Sequence, residues 1–397
     1  MTAYQAAWVL PIDQPPIRDG VVEVEDEIIK NISSRTGQDV RNLGNVAILP
    51  GLINAHTHLE LSWLRGRVPP ANSFTDWIKG LFAHRRGPDH PMTPEMVAPI
   101  HDAIREAQQS GTVAVGDISN SLAAVEPMQQ ASLKGVVFHE LLGFKERDGA
   151  LIDLTRHKRD AAARHGIRVS LAPHAPYSTS VELFRAIRDA VNASDCPIMS
   201  VHLGESPEEI ELLKQGSGSW RTMLELIGAW REDWQIPGCG PVQFLERHGV
   251  IDARTLVVHG VQFDDLALQR LKRLEATLVT CPRSNRWVGV GYPPIERFYR
   301  SGVAVAVGTD SLASVEDLNL FSELKTMRWL APDVTARQLL ESATLVGAKA
   351  LGLDREFGSI TPGKHAPLAA VTLPGAVHDV EEYLVSGIEP AQISWVN

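Results

Sequence analysis

The sequence is poor in cysteine, in long apolar runs and in positive charge. Its three cysteines, Cys196, Cys239 and Cys281, show no paired spacing, which argues against a disulfide framework and a cysteine-rich zinc site. No run of about 18 apolar residues occurs, and residues 1–5 lack a basic flank, so neither a membrane span nor a secretory signal is expected. The formal net charge of −10 argues against nucleic acid or an acidic membrane as a partner. We therefore expect a cytoplasmic protein whose partner is a small molecule.

From residue 51 onward, apolar runs alternate with amphipathic segments in this chain of 397 residues. The runs predict eight strands: one that ends near His58, then Thr112–Ile118, Gly135–Leu142, Arg168–Pro173, Pro197–His202, Thr255–Val261, Ala276–Cys281 and Gly302–Asp310. Between them, apolar residues recur at helical spacing, for example in Met96–Gln109, Val181–Val191 and Asp264–Leu274. Eight strands that alternate with helices predict an α/β protein with a (β/α)8 barrel over residues 51–357, whose functional groups belong at the carboxyl ends of the strands.

The two ends of the chain carry short strand-like segments instead. Residues 1–50 contain Val21–Val24, and residues 358–397 contain Pro367–Val371. Because each end is too short to bury a core alone, we expect both to pair into one small β-sandwich domain beside the barrel. Two long irregular stretches, rich in Gly, Pro and Trp, are expected to act as substrate lids at the active face; they are residues 66–73 and 214–240.

Two histidines lie two residues apart at the end of the first predicted strand. Strand geometry points the rings of His56 and His58 to the same side. Three later strands also end on polar residues, namely His202, His259 and Asp310. Nitrogen ligands with one carboxylate suit a borderline divalent ion such as zinc or ferrous iron, and they leave room for water. The pattern therefore predicts a catalytic metal.

Structural roles compete with these functional ones. A single histidine at a strand end is more often a hydrogen-bonded structural group, but four such positions would need four independent coincidences. Packing and substrate contact are equally favoured for Glu60, Trp63 and Trp77. For His139 and Glu140 we favour a satisfied polar pair over contact with a ribose.

Four motifs, in this order, resemble those of the amidohydrolase superfamily and specifically its deaminase and chlorohydrolase branch. They are Pro50–His58, His202–Glu205, His259–Gly260 and Gly308–Ser311. The resemblance covers nearly the whole chain and implies a distorted TIM barrel.

The same resemblance implies a single divalent metal, zinc first with iron or manganese as alternatives. Its ligands would be His56, His58, His202 and Asp310, and the catalytic proton-handling pair would be Glu205 and His259. Asp310 is also expected to accept a hydrogen bond from the bound water. A two-metal site with a carbamylated lysine at the fourth strand is not expected, since no lysine occurs from residue 159 to residue 213.

Further segments resemble particular nucleoside deaminases. Pro173–Ser178 is similar to the segment of methylthioadenosine and S-adenosylhomocysteine deaminases, while His58–Ser62, Phe74–Ile78 and His202–Ser206 are similar to aminodeoxyfutalosine deaminases. The tail departs from the family, since His365-Ala366-Pro367 follows Gly-Lys where an Ala-Asp-Leu is usual. This departure puts the pairing of the terminal strands in doubt and leaves the metal site unaffected.

The substrate contacts that this resemblance implies are less specific than its metal ligands. His174 and Trp77 are expected to touch the substrate, and Arg283 and Arg286 are candidate anchors for a carboxylate on it.

The chemistry expected is hydrolytic deamination of an adenine-type nucleoside. Water on a divalent metal can have a pKa of about 7, so hydroxide is available at neutral pH. Glu205, three residues after His202, is expected to carry protons to the ring nitrogen and to the departing ammonia. Two alternatives stay open: another hydrolase of the branch that acts on guanine, cytosine or a chlorinated triazine, and a scaffold relative without activity. Assembly as a homo-oligomer is also open.

Overall fold

Eight parallel strands form the centre of the molecule, in a computed structural model that describes residues 1–34, 40–84 and 92–396. In chain order they are β1 Leu52–Thr57, β2 Thr112–Ser119, β3 Lys134–Leu141, β4 Arg168–Pro173, β5 Met199–Leu203, β6 Thr255–His259, β7 Thr277–Thr280 and β8 Ala304–Val307. All eight predicted strands are present, with bounds that differ by a few residues. Most of their residues are buried, as expected for parallel strands covered on both faces.

The strands pair in two parallel sheets, β1 to β4 and β5 to β8. Between β4 and β5, the His202 amide donates to the His174 carbonyl at 2.9 Å. Between β8 and β1, the Asp310 amide donates to the His56 carbonyl at 3.1 Å, and Thr57 forms a parallel bridge with Asp310. The predicted α/β fold, a distorted (β/α)8 TIM barrel, is confirmed.

Helices connect the strands and cover the outside of the barrel. Helix Val181–Asn192 shows how they form: the Ser180 hydroxyl caps its first turn by accepting from the Leu183 amide, and one face is buried. That face packs with Leu171 of β4 and Met199 of β5. Burial of each such side chain stabilises the fold by about 2 kcal/mol. None of the described helices is long and apolar enough to cross a lipid bilayer.

The described α-helices are Phe74–His84, Pro94–Gln109, Val125–Gln130, Ala150–Leu154, Arg156–Ala163, Val181–Asn192, Pro207–Gln215, Ser219–Leu226, Pro241–Arg247, Asp265–Arg273, Pro282–Trp287, Ile295–Ser301, Leu320–Leu330, Ala336–Ser342, Leu345–Ala350 and Val380–Leu384. Short 3₁₀ helices are Leu59–Leu64 and Pro390–Gln392. The helix Ser219–Leu226 lies within residues 214–240, so the prediction of an irregular stretch there is wrong in part. Its buried residues Trp220, Met223 and Leu224 follow helical spacing, because one helical face packs over the barrel mouth.

Strands from both ends of the chain form two small sheets beside the barrel. One contains Ile28–Ser33, Val21–Glu25, Thr2–Gln5 and Val40–Asn42, and the other contains Ile393–Trp395, Leu368–Thr372, Val46–Pro50, Trp8–Val9 and Ile17–Arg18. The tail strand pairs antiparallel with Val46–Pro50, with Leu368 opposite Pro50. Tyr4 and Val22 of the first sheet share a buried core with Val9 and Ile48 of the second. The domain boundaries at residues 50 and 358 stay a prediction.

A glycine at the end of β8 permits close approach of β8 to β1. A Cβ on Gly308 would lie 2.6 Å from the His56 carbonyl oxygen. Because a backbone atom cannot move aside cheaply, we expect Gly308→Ala to lower the free energy of unfolding by about 2 kcal/mol. Urea denaturation measures this loss.

The matched control for that substitution is Gly80→Ala, in the interior of helix Phe74–His84. There a Cβ would make an ordinary contact at 3.4 Å with Val68. Since alanine is more favourable than glycine in a helix interior, the free energy of unfolding should stay equal or rise by about 0.5 kcal/mol. Equal stability of the two variants would contradict the close approach at Gly308.

Candidate metal centre and active site

Three histidines and one carboxylate meet at the carboxyl ends of β1, β5 and β8. His58 Nε2 lies 3.3 Å from His202 Nε2 and 3.5 Å from Asp310 Oδ1. His56 Nε2 lies 3.9 Å from the same Asp310 oxygen. The structure thus brings together all four residues that the sequence predicts as metal ligands, although they are as far as 254 positions apart in the chain.

Burial favours the neutral, metal-binding form of two imidazoles of this cluster, His56 and His202, by lowering the pKa of each. His56 is fully buried, and neither of its ring nitrogens has a hydrogen-bond partner among the described residues. Burial first, and then the neighbouring His202 and His58, hold the pKa of His56 well below its usual value. His202 Nδ1 lies 3.2 Å from the His174 carbonyl, so this nitrogen donates and Nε2 keeps its lone pair towards the cluster.

The distances between donor atoms fit one divalent cation. Two ligand atoms bound to a tetrahedral zinc ion at about 2.1 Å lie about 3.4 Å from each other. The separations of 3.3, 3.5 and 3.9 Å between the donor atoms of the cluster are close to that value. Without a cation, His58 and His202 would face each other through ring nitrogens, and the buried Nε2 of His56 would have no hydrogen-bond partner within the described chain.

The backbone is strained at two residues of the site. His259, the last residue of β6, has φ 79°, and Asp310, just after β8, has φ 64°. Both values lie in the left-handed region, which residues other than glycine rarely adopt. The Asn54 side chain supports the second turn, since it donates to the Thr309 hydroxyl at 2.8 Å and accepts from the Thr309 amide at 3.2 Å. Such strain is typical of turns that aim a functional side chain.

Glu205 lies in the turn that follows β5, beside the histidine cluster. Its carboxylate is 3.5 Å from His259 Nε2, and only 3% of the residue is exposed. Burial first, and then the charge of Asp310, raise the pKa of Glu205 well above its usual value. The carboxylate of Glu209 accepts hydrogen bonds from the backbone amides of Gly204 and Glu205, which fixes the turn.

Two residues of the helix Pro282–Trp287 hold side chains of the site in place. The Ser284 hydroxyl donates to Asp310 Oδ2 at 2.6 Å. The Asn285 amide lies 3.0 Å from His259 Nδ1; with this amide as the donor, the ring proton of His259 is on Nε2, towards Glu205. Sequence reasoning missed Ser284 and Asn285, although both lie in the segment that it selected for its arginines.

Those arginines are not in the cavity, which corrects their prediction as carboxylate anchors. The Arg283 guanidinium donates to Asp317 at 2.8 Å and lies 3.2 Å from Glu323, so its charge is already paired. Arg286 is exposed on the same short helix and does not line the cavity. The short helix turns both side chains away because its inward positions belong to Ser284 and Asn285.

His58, His202 and Asp310 of the cluster line a cavity of about 180 Å³. The predicted substrate contacts His174 and Trp77 both line it, together with Glu205, His259 and Asp310. Sequence reasoning missed Tyr177 and Trp220, which also line the cavity and carry polar atoms. Glu140, for which a ribose contact is the disfavoured alternative, lines it as well. A larger groove of about 920 Å³ lies between the small sheets and the amino ends of β2 and β3, away from the histidine cluster.

The structure gives different contacts to Glu60, His139 and Glu140, whose roles the sequence leaves open. Glu60 accepts hydrogen bonds from Ser119 and Ser121, so it holds the barrel mouth together and does not line the cavity. His139 and Glu140, considered as a satisfied pair, point to opposite sides of β3. His139 lies 3.1 Å from Arg159, whereas the Glu140 carboxylate lies 3.4 Å from His202 Nδ1. The pair prediction is therefore wrong, because adjacent residues of a strand face opposite ways.

Residues 47–390 match the amidohydrolase family. An aminodeoxyfutalosine deaminase of Deinococcus radiodurans is 31% identical over 325 residues, which span 77% of this chain and 73% of that protein. The crystal structure of Helicobacter pylori aminofutalosine deaminase in complex with methylthio-coformycin superposes with a TM-score of 0.85 at 26% identity, over 99% of this chain and 100% of that one. An adenosine deaminase of Xanthomonas campestris with bound zinc gives a TM-score of 0.81 at 26% identity, over 99% of this chain and 90% of that one.

Proposed function

Because the chain belongs to the amidohydrolase family, we propose that it is a metal-dependent enzyme that hydrolytically removes the amino group of an adenine-type nucleoside. The observation that carries this proposal is the convergence of the four ligand side chains with Glu205 and His259, all of which except His56 line one cavity. The relatives support the substrate class, since deaminases of adenine nucleosides match this chain in sequence and in fold. The complete donor set argues against a scaffold that lacks activity.

We propose that His56, His58, His202 and Asp310 hold one divalent ion, and that this ion is zinc. Three nitrogen ligands with one carboxylate suit zinc, and the Xanthomonas campestris relative contains it. When bound, the metal supplies an activated water for attack on the carbon that carries the amino group. Asp310 presents Oδ1 to the histidines, while Ser284 holds its other oxygen in place.

The proton transfers fall to Glu205 and His259. We propose that Glu205 gives a proton to the ring nitrogen beside the reacting carbon, takes up the proton of the hydroxyl group that has added to this carbon, and passes it to the amino group, which departs as ammonia. His259 Nε2 faces Glu205 at 3.5 Å and is fixed by Asn285 from behind, so it can donate to an oxygen that gains negative charge. His174 lines the same cavity, and its Nδ1 lies 2.6 Å from the Ser178 hydroxyl, which sets the ring orientation towards the substrate.

An ammonia-release screen of zinc-loaded protein tests the proposed function. Adenosine, 5′-deoxyadenosine and methylthioadenosine form one group of substrates, and guanine and cytosine form the other. We expect ammonia and the matching inosine product from the first group only. Release confined to guanine or cytosine, or purified protein without stoichiometric metal that gains no activity on loading, would overturn the proposal.

Removal of the hydroxyl that holds Asp310 should weaken metal binding. Ser284→Ala removes the 2.6 Å hydrogen bond to Asp310 Oδ2, and loss of such a supporting contact typically costs about 10-fold to 100-fold in metal affinity. We expect this rise in the dissociation constant for zinc, measured by competition with a chromogenic chelator. Ser194→Ala, at an exposed position after a surface helix, is the matched control and should bind zinc normally. Equal affinity in both variants would contradict the supporting role of Ser284.

A further inference from the structure

A row of aromatic rings leads from the metal cluster along the cavity wall. The ring of His174 lies 4.9 Å from that of His202 and 5.5 Å from that of Tyr177, measured between centroids. Tyr177 then stacks on Trp220 at 4.0 Å with an interplanar angle of 11°. Phe74 continues the row at 5.9 Å from Trp220. The part of the cavity away from the metal is therefore a rigid aromatic slot.

Three hydrogen-bond donors of this slot have no partner within the described chain. They are the Tyr177 hydroxyl and the indole Nε1 atoms of Trp77 and Trp220, all buried. The three residues are 2%, 7% and 5% exposed, and each lines the cavity. Buried donors without a partner are rare, because each has lost water without a replacement. Because the three residues line the same cavity, a ligand with acceptor atoms is the natural partner for their donors.

The described wall of the slot offers no lysine or arginine to an anionic ligand. Among the described residues that line the cavity, the carboxylates are Glu140, Glu205 and Asp310, and no lysine or arginine occurs. Apolar side chains, among them Ile78, Leu81 and Met223, make up much of the remaining wall. A carboxylate in the slot would lose its hydration and would meet no lysine or arginine of the described wall in exchange.

We propose that the slot selects a nucleoside whose sugar carries an uncharged substituent, and that Tyr177, Trp77 and Trp220 donate hydrogen bonds to acceptor atoms of this substrate. The inference rests on the proposed deaminase function, because the amino-bearing carbon must lie beside the metal ligands and Glu205. The sugar and its substituent then occupy the aromatic slot. Within the range of adenine nucleosides, the chain discriminates against those that end in a carboxylate.

A matched pair of substrates tests the charge selection. The first is a 5′-thioether of adenosine that ends in a carboxylate, and the second is its methyl ester, which has nearly the same shape without the charge. We expect kcat/KM for the ester to exceed that for the acid by about 100-fold. Calorimetric titration with the corresponding inosine products should show the same order of affinity, independently of turnover.

The possible results distinguish failure of this inference from failure of the proposed function on which it rests. Deamination of both compounds with similar kcat/KM, or a preference for the acid, overturns the charge selection and leaves the deaminase proposal standing. If neither compound nor adenosine nor methylthioadenosine releases ammonia, the proposed function fails and the inference fails with it. A preference for the ester in turnover and in product binding supports both.

Conservative variants test the donors themselves. Tyr177→Phe keeps the ring on Trp220 and removes only the hydroxyl, so we expect KM for the ester to rise about 10-fold while kcat changes less than about 3-fold. Trp220→Phe should act in the same direction. Tyr292→Phe, at an exposed position outside the cavity, is the control and should leave KM unchanged. Circular dichroism and Tm establish that each variant is folded, and an unchanged KM in folded Tyr177→Phe overturns its donor role.

Discussion

Replacement of Glu205 by glutamine is expected to lower kcat for ammonia release by about 10³-fold and to leave the bound metal in place. Glutamine has nearly the same shape as glutamate, but it cannot take up and return a proton. Glu205 is outside the set of four ligands, and its carboxylate faces His259 at 3.5 Å. The loss should therefore appear in kcat, while the metal content stays near one ion per chain.

Single-turnover kinetics and elemental analysis of the same preparation check this expectation. Glu225→Gln makes the same chemical change at an exposed helix position where the carboxylate pairs only with Arg221 among the described residues, so its kcat should equal that of the unmodified protein. A Glu205→Gln variant with near-normal kcat would remove Glu205 from the proposed proton transfers. A variant that loses its metal would instead assign it a role in holding the ion.

The eight strands and their order could be predicted because a parallel barrel buries both faces of each strand. Continuous apolar runs then mark the strands, and polar residues stand out where the runs end. This is how His56, His58, His202 and Asp310 could be recognised before any geometry was known. The family resemblance drawn from the same motifs is confirmed, since residues 47–390 match the amidohydrolase family.

The direction of side chains on short helices could not be predicted in the same way. The guanidinium of Arg283 predicts an anchor for a substrate carboxylate. In the structure, however, the helix Pro282–Trp287 turns Ser284 and Asn285 towards the site, and Arg283 pairs with Glu323. A helix of six residues is too short for an apolar period to show which face is buried. Contacts with a distant element decide the direction instead.

Two features of the cavity did have a signal in the sequence. Residues on one strand alternate between faces, so His139 and Glu140 could not both point into the barrel, and one of them had to be considered for the site. The helical spacing of Trp220, Met223 and Leu224 similarly marked a helix with one buried face inside the supposed loop. By contrast, the stacking of Tyr177 on Trp220 joins segments 43 positions apart and follows from the fold alone.

Removal of the metal by a chelator is expected to abolish ammonia release and to lower Tm, and one equivalent of zinc should restore both. An ion that binds only the folded chain stabilises it by about 4 kcal/mol at a free concentration 1,000 times its dissociation constant. The buried His56 Nε2 has no hydrogen-bond partner among the described residues, so it loses its expected partner when the ion leaves. Scanning calorimetry and the ammonia assay on the same samples measure the two effects.

Histidine variants distinguish this specific site from loose zinc binding. His202→Ala removes a ligand whose Nε2 lies 3.3 Å from His58 Nε2, so added zinc should restore neither activity nor Tm. His157→Ala removes an exposed imidazole on helix Arg156–Ala163 and should respond to chelation and zinc like the unmodified chain. Chelated protein that keeps its activity and Tm would contradict the single-metal proposal, and rescue of His202→Ala by one equivalent of zinc would exclude His202 as a ligand.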